Sequence, residues 1–216
     1  MRERPEPLWD LPVRVFHWSL AVLVVAAVTS VSLGAMQVHE ACGLSILVLV
    51  AARIVWGFVG STHARFTNFV RGPRAVLAYL RGSRAPGEGH SPAGGWSVLA
   101  MLALLLVQAG TGLFNEDDVA FSGPLAHLVG SKLRGAIGEL HEMNFLLLGA
   151  LVALHVLTVL QYRRRGHDLI RPMLDGGRAQ DTTRTRPAWL ALALLLGCAI
   201  ALWLALAAVP KPEVFL

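Results

Sequence analysis

Eight histidines occur in this 216-residue chain, and four of them sit in or at the edge of long apolar runs. His155 is the clearest, in LVALHVLTVL, with no charged residue within a turn on either side. An ionisable side chain in hydrocarbon is costly and normally faces the protein interior with a partner. A lone histidine there could simply hydrogen-bond a neighbouring helix. His141 changes that reading, because it lies fourteen residues earlier in the same run. At 100° per residue, fourteen steps return to within about 40° of the starting direction, with a rise of about 21 Å. Both imidazoles therefore share one stripe, at two depths. His17, at the start of the first apolar run, can match the depth of His155, and His39, just before the second, can match His141. Two cross-membrane pairs follow: His17 with His155, and His39 with His141. Imidazole on both faces of a porphyrin iron is a low-spin b-type arrangement, suited to electron transfer rather than oxygen binding. The pairs are expected to ligate the irons of two haem b groups.

Arg53 lies fourteen residues after His39 and falls on the same stripe at the depth of the inner pair. There it could neutralise a haem propionate; the plainer reading is a charge that snorkels to the interface and sets topology. His90, in GHSPAGGW before the third run, could reach the inner propionates or be an ordinary loop residue. His63 and His167, in basic stretches, read as solvated, and His127, in an outer loop, reads as a non-ligand. Gly34, Gly43, Gly110, Gly112 and Gly149 would let a flat macrocycle approach closely, although helix packing in lipid explains such glycines equally well.

The elements that must position these residues are membrane helices. Hydrophobic residues make up 55% of the chain and charged residues 15%, against roughly 45–50% and 25% in soluble domains. Five runs are long enough to cross a bilayer: about Val15 to Met36, Ala41 to Val59, Gly95 to Phe114, Glu142 to Tyr162, and Trp189 to Val209. All but three of the 19 Lys and Arg residues fall in the N-terminal tail, near the far end of the second span (Arg53), or after the second and fourth spans; the exceptions are Lys132, Arg134 and Lys211. The positive-inside rule then places the N-terminus in the cytoplasm and the C-terminus in the periplasm. The basic residues lie between apolar runs rather than along one face, which argues against nucleic-acid binding despite a pI near 10. The first run lacks a small-residue cleavage site and reads as an uncleaved span. Cys42 and Cys198 sit inside apolar runs, outside any C-x-x-C-H sequence, so covalent haem attachment and a disulfide are both unsupported. Between the third and fourth spans, Glu116, Asp117 and Asp118 form an acidic cluster. It reads as a solvated helix-ending run, or as a docking edge for a basic soluble partner or a cation site.

The strings WDLPVRVFHW, HEACG, ARIVWGFVGSTHARF, RGPRAVLAYL, GHSPAGGW, TGLF, LHEMNF and ALHV followed by LIRPMLDG resemble the bacterial di-haem cytochrome b family. This is the b561-type group that includes the b subunits of nickel-iron hydrogenases. The resemblance runs from Trp9 to about Gly177. It implies a four-helix bundle holding two b haems through His17, His39, His141 and His155. It also implies electron passage between the quinone pool and a partner at the outer face: a hydrogenase, another dehydrogenase or a c-type cytochrome. The fifth span departs from that pattern and leaves the partner open.

The expectation is an all-α integral membrane bundle of the bacterial inner membrane. Residues 1–177 form a four-helix di-haem domain, and residues 178–216 a linker and an additional C-terminal transmembrane helix. Its function would be transmembrane electron transfer as a subunit of a membrane oxidoreductase, in contact with lipid and quinone. The rival is a transporter or channel whose intramembrane histidines relay protons or bind a metal.

Overall fold

Asp10 begins the first helix: its Oδ1 accepts from Val13 N at 2.8 Å, and Pro12 follows at a position where its missing N–H costs nothing. Helix α1 runs Leu11–Ser32 and α2 Met36–Val59, joined by a tight turn in which Gly34 takes a φ of 69°. Ser91 caps α3, Pro92–Gly112, in the same way, its Oγ accepting from Gly94 N. Helix α4 covers Ser131–Arg164 and α5 Ala188–Ala207. All five are long and apolar enough to span a bilayer. The computed structural model describes residues 7–82, 89–116, 121–179 and 184–210. Among these there is no strand, only an isolated bridge between Glu116 and Ser122.

The span positions agree with the hydropathy reading to within a few residues, except at α4. That helix starts at Ser131 rather than near Glu142. At 1.5 Å per residue its 34 residues reach about 50 Å, well beyond a hydrocarbon core of about 30 Å. The hydropathy pattern marks where the chain is apolar, whereas the helix continues outward through the polar SKLRGAIGEL turn by turn. Likewise α2 starts early enough to place His39 inside its first turn.

Consecutive helices pack in sequence order, α1 on α2, α2 on α3, and α3 on α4, while α5 lies on α2 and, less closely, on α1. No comparable interface joins α4 to α1 or to α2. The central core is Ile46 and Val50 of α2, Leu102, Leu105 and Ala109 of α3, and Leu148 of α4. Val50 is wholly buried. A second core closes one end, where Trp9, Val13, Trp56 and Ala64 meet Met173 and the start of α5. The short helix Ile170–Asp175 turns back beneath α1 there, held by Trp9 N to Gly176 O and by Trp18 Nε1 to Met173 O. The approach to α5 is tied to the same end by Thr62 with Arg184 and Ser61 with Arg186. Elsewhere the long helices present apolar side chains outward, and the apolar window of α5 buries none of its residues within the chain. Such surfaces require lipid.

Candidate functional site

The two histidine pairs expected from spacing meet in space. His17 of α1 and His155 of α4 have ring centroids 6.4 Å apart. His39 of α2 and His141 of α4 have theirs 6.3 Å apart. All four side chains are half-buried. Each pair stands across the interval between the α1–α2 hairpin and α4, where the helices form no interface comparable to those between consecutive helices. Two metal–nitrogen bonds of about 2 Å and two imidazole half-widths of about 1.1 Å add to roughly 6 Å, so each pair suits one metal atom held between its rings. The matching separations recur at two depths on one side of α4. Beside the outer pair, Gly43 lies one turn after His39 with nothing within 4 Å of where a Cβ would stand. Gly112 admits the His141 ring, since a Cβ there would come within 3.3 Å of Cε1.

The outer rings are anchored from behind. His39 Nδ1 lies 2.9 Å from Ala27 O, an acceptor, so this nitrogen carries the proton and Nε2 keeps a lone pair. His141 Nδ1 lies 3.0 Å from Thr111 Oγ1. The Thr111 hydroxyl hydrogen is directed to Val107 O at 2.7 Å, leaving its oxygen to accept from His141. Behind this, buried Asn144 donates through Nδ2 to Gln108 Oε1 at 2.6 Å and to Leu104 O at 3.0 Å, fastening α4 to α3 one turn from His141. The inner pair differs, because His17 Nδ1 is buried without a hydrogen-bond partner.

The inner end also gathers basic side chains. Arg53 is buried, 5% exposed, and donates from Nη2 to Ala64 O at 3.2 Å, with its guanidinium 5.3 Å from the Phe66 ring centre. Its Nη1 has no partner. Arg14 Nε, His63 Nε2 and Arg65 Nε are likewise buried and unpartnered. Among the described residues, the ion pairs are Arg134 with Glu116 and Arg171 with Asp175, and neither belongs to this end's interior. Orphaned buried donors of this kind call for an anionic group. His90 is enclosed between Trp9 and Phe69, at ring separations of 4.6 and 4.3 Å. Desolvation, then the nearby Arg53, His63 and His155, push its imidazole down to about 3. It is an enclosed, neutral ring in the inner-end wall.

The reading of His63 as solvated is overturned. THARF is polar in isolation, but the chain at Gly89 folds against Trp9 and His63 and covers it. His167 is exposed. His127 Nε2 donates to Pro210 O at 2.8 Å and joins the outer segment to the chain after α5. Glu116 pairs with Arg134 at 3.0 Å, while Asp117 and Asp118 lie outside the described residues. The cysteines are free. Thr111, Gln108 and Asn144 were not singled out by sequence; the available signal was polar residues facing each other within apolar spans.

The family model described as prokaryotic cytochrome b561 matches residues 8–176. No curated protein matches the chain. No solved structure matches it either.

Proposed function

The chain belongs to the prokaryotic cytochrome b561 family, a multi-pass membrane protein that transfers electrons through b-type haem, and on that premise we propose that it holds two haems, one between His17 and His155 and one between His39 and His141. The observation that carries this reading is the pair of near-equal ring separations, 6.4 and 6.3 Å, at the two depths of one helix. Bound there, haem supplies a one-electron couple, and its potential is set by axial ligands, hydrogen bonds and burial. The protein's part is to aim and to insulate. Ala27 O and Thr111 Oγ1 hold the outer imidazoles so that Nε2 points across the interval. The apolar faces of α1, α2 and α4 exclude water from the path. His141 and His155 are separated by about 21 Å of helix, so two sites at these depths cover most of the hydrocarbon thickness.

Arg53 is the proposed partner of an inner propionate, supported by its unpaired Nη1, and His90 forms part of the wall around that group. The start of α1, the end of α2, the start of α3 and the end of α4 share one end, and most basic residues flank it. That supports a cytoplasmic N-terminus and a periplasmic C-terminus. The same reading links a quinone at the inner end to a periplasmic redox partner (a c-type cytochrome, hydrogenase or other dehydrogenase), with the chain acting as an electron-transfer subunit. An apolar groove of about 190 Å³ between α1, α2 and α5, lined by Phe16, Trp56 and Arg53 among others, supports a lipid-accessible site beside Arg53. Residues 1–177 are the proposed di-haem unit, with 178–216 an added segment.

The transporter reading is less well supported. Among the described residues no three His, Cys, Asp or Glu side chains assemble as a metal cage, and the histidines come in twos, as axial ligation requires. The test is a pyridine-haemochrome count on detergent-purified protein. Two haems per chain are expected, falling to one in His155→Ala; a His155→Ala protein that keeps both would overturn the assignment.

A further inference from the structure

The two ends of the bundle differ in hydrogen bonding and in charge, and both differences act in the same direction. At the outer pair, each ring's Nδ1–H is held by an acceptor, Ala27 O for His39 and Thr111 Oγ1 for His141. A hydrogen bond from Nδ1–H makes the opposite nitrogen a stronger donor, which favours the more positive, oxidised state of a ligated iron. Carboxylates of Glu40, Glu139 and Glu142 lie within a turn of these histidines in sequence, and Glu142 acts electrostatically on His141. Negative charge favours the oxidised state as well. At the inner pair, His17 Nδ1 has no acceptor. Arg14 lies one turn before His17, and Arg53 is close enough to act on His90, as is His155. Arg14 and Arg53 are permanent cations with buried, unsatisfied nitrogens. Positive charge in a poorly solvated site favours the reduced state. Asp10 acts on Arg53 and offsets part of this positive charge, but Arg14 and Arg53 together outnumber it.

We propose that Thr111 with the Ala27 carbonyl on one side, and Arg14 with Arg53 on the other, make the outer site the lower-potential and the inner site the higher-potential of the two. A single electron shared between them then resides mainly at the inner end: the outer centre loses one electron and the inner centre gains it, with no other reactant. Thr111 is a positioning residue in this scheme, acting through His141. The inference rests on the two-haem reading above.

Spectroelectrochemical titration of the haem-loaded protein in detergent tests it, with His17→Ala and His39→Ala each leaving one haem to assign the two steps. The inner step is expected at the higher potential, by at least a tenfold partition of the electron, which for one electron is about 59 mV. Thr111→Val should raise the outer potential and leave the inner one in place, and Thr111→Ser, which keeps the hydroxyl, should restore it. An outer step at equal or higher potential would overturn the proposal while two haems are still counted. So would a Thr111→Val protein with an unmoved outer step. A count other than two would remove the underlying reading as well. Should Thr111→Val fail to fold, the order of potentials in the unsubstituted protein still decides.

Discussion

His17 and His155 face each other at 6.4 Å across an interval that their own helices, α1 and α4, do not close by packing. The same is true of His39 on α2 and His141 on α4. Backbone contact between these helices is replaced by two side-chain pairs. The bundle therefore relies on α2–α3 and α3–α4 packing to hold α4 at the distance a ligated group needs. Replacing one histidine should disable one site and leave the scaffold standing.

His39→Ala is accordingly expected to lose the outer haem and retain the inner one. The absorbance of the reduced protein per mole should fall by about half. The α2 helix itself should persist, because His39 lies in its first turn and the α2 core residues Ile46 and Val50 are far along it. A retained far-ultraviolet circular dichroism signal beside the halved haem band checks both parts at once.

Arg53 supports a second prediction. Its unpaired Nη1 is buried, and a charge-assisted hydrogen bond to a carboxylate is worth about 1.5–3 kcal/mol. Arg53→Gln should weaken retention of the inner haem by roughly 10- to 100-fold, since each 1.4 kcal/mol is tenfold in affinity. The outer haem should be unaffected. Competitive transfer of haem to an excess of an apo-haem acceptor, followed by spectrum, reads the two rates separately.

The histidine pairs were legible in the sequence because a fourteen-residue spacing fixes both azimuth and depth on one helix, whatever surrounds it. The apolar runs located the spans for the same reason: lipid solvation depends on composition along the chain. The anchors were not legible. Ala27 contributes only a carbonyl to His39, and Thr111 meets His141 because α3 packs on α4, which depends on side chains far apart in sequence. His63 appears solvated in its local string and is covered by a segment 26 residues on, at Gly89. The start of α4 was hidden because a helix leaving the bilayer keeps its backbone hydrogen bonds while its side chains become polar.

Asp10 holds two elements at once, capping α1 through Oδ1 and accepting from Trp56 Nε1 of α2 through Oδ2 at 3.0 Å. Asp10→Ala removes a helix cap, worth about 1 kcal/mol, and leaves a buried indole N–H unsatisfied at a cost of about 1–3 kcal/mol. The expected loss is about 2–4 kcal/mol of stability, with the inner end loosened first. Asp10→Asn, which retains one acceptor oxygen, should lose less. Thermal unfolding followed at the inner and outer haem bands would show the inner one released at lower temperature.

His90 makes stability pH-dependent. Enclosed between Trp9 and Phe69, its imidazole is pushed down to about 3, first by desolvation and then by the nearby Arg53, against an ordinary value of 6.5. Above the ordinary value the ring is neutral in the folded and unfolded chains alike, and its enclosure carries no protonation penalty. As pH falls below 6.5, the unfolded chain takes up a proton that the folded chain refuses, so stability declines until pH approaches the folded value near 3. The limiting slope for one proton is about 1.4 kcal/mol per pH unit. His90→Phe keeps the aromatic packing and removes the titrating group, so the decline between pH 6 and about 4 should become shallower by up to that slope. Denaturant unfolding of both proteins across this range measures the difference, and identical slopes would show that His90 is not the group responsible.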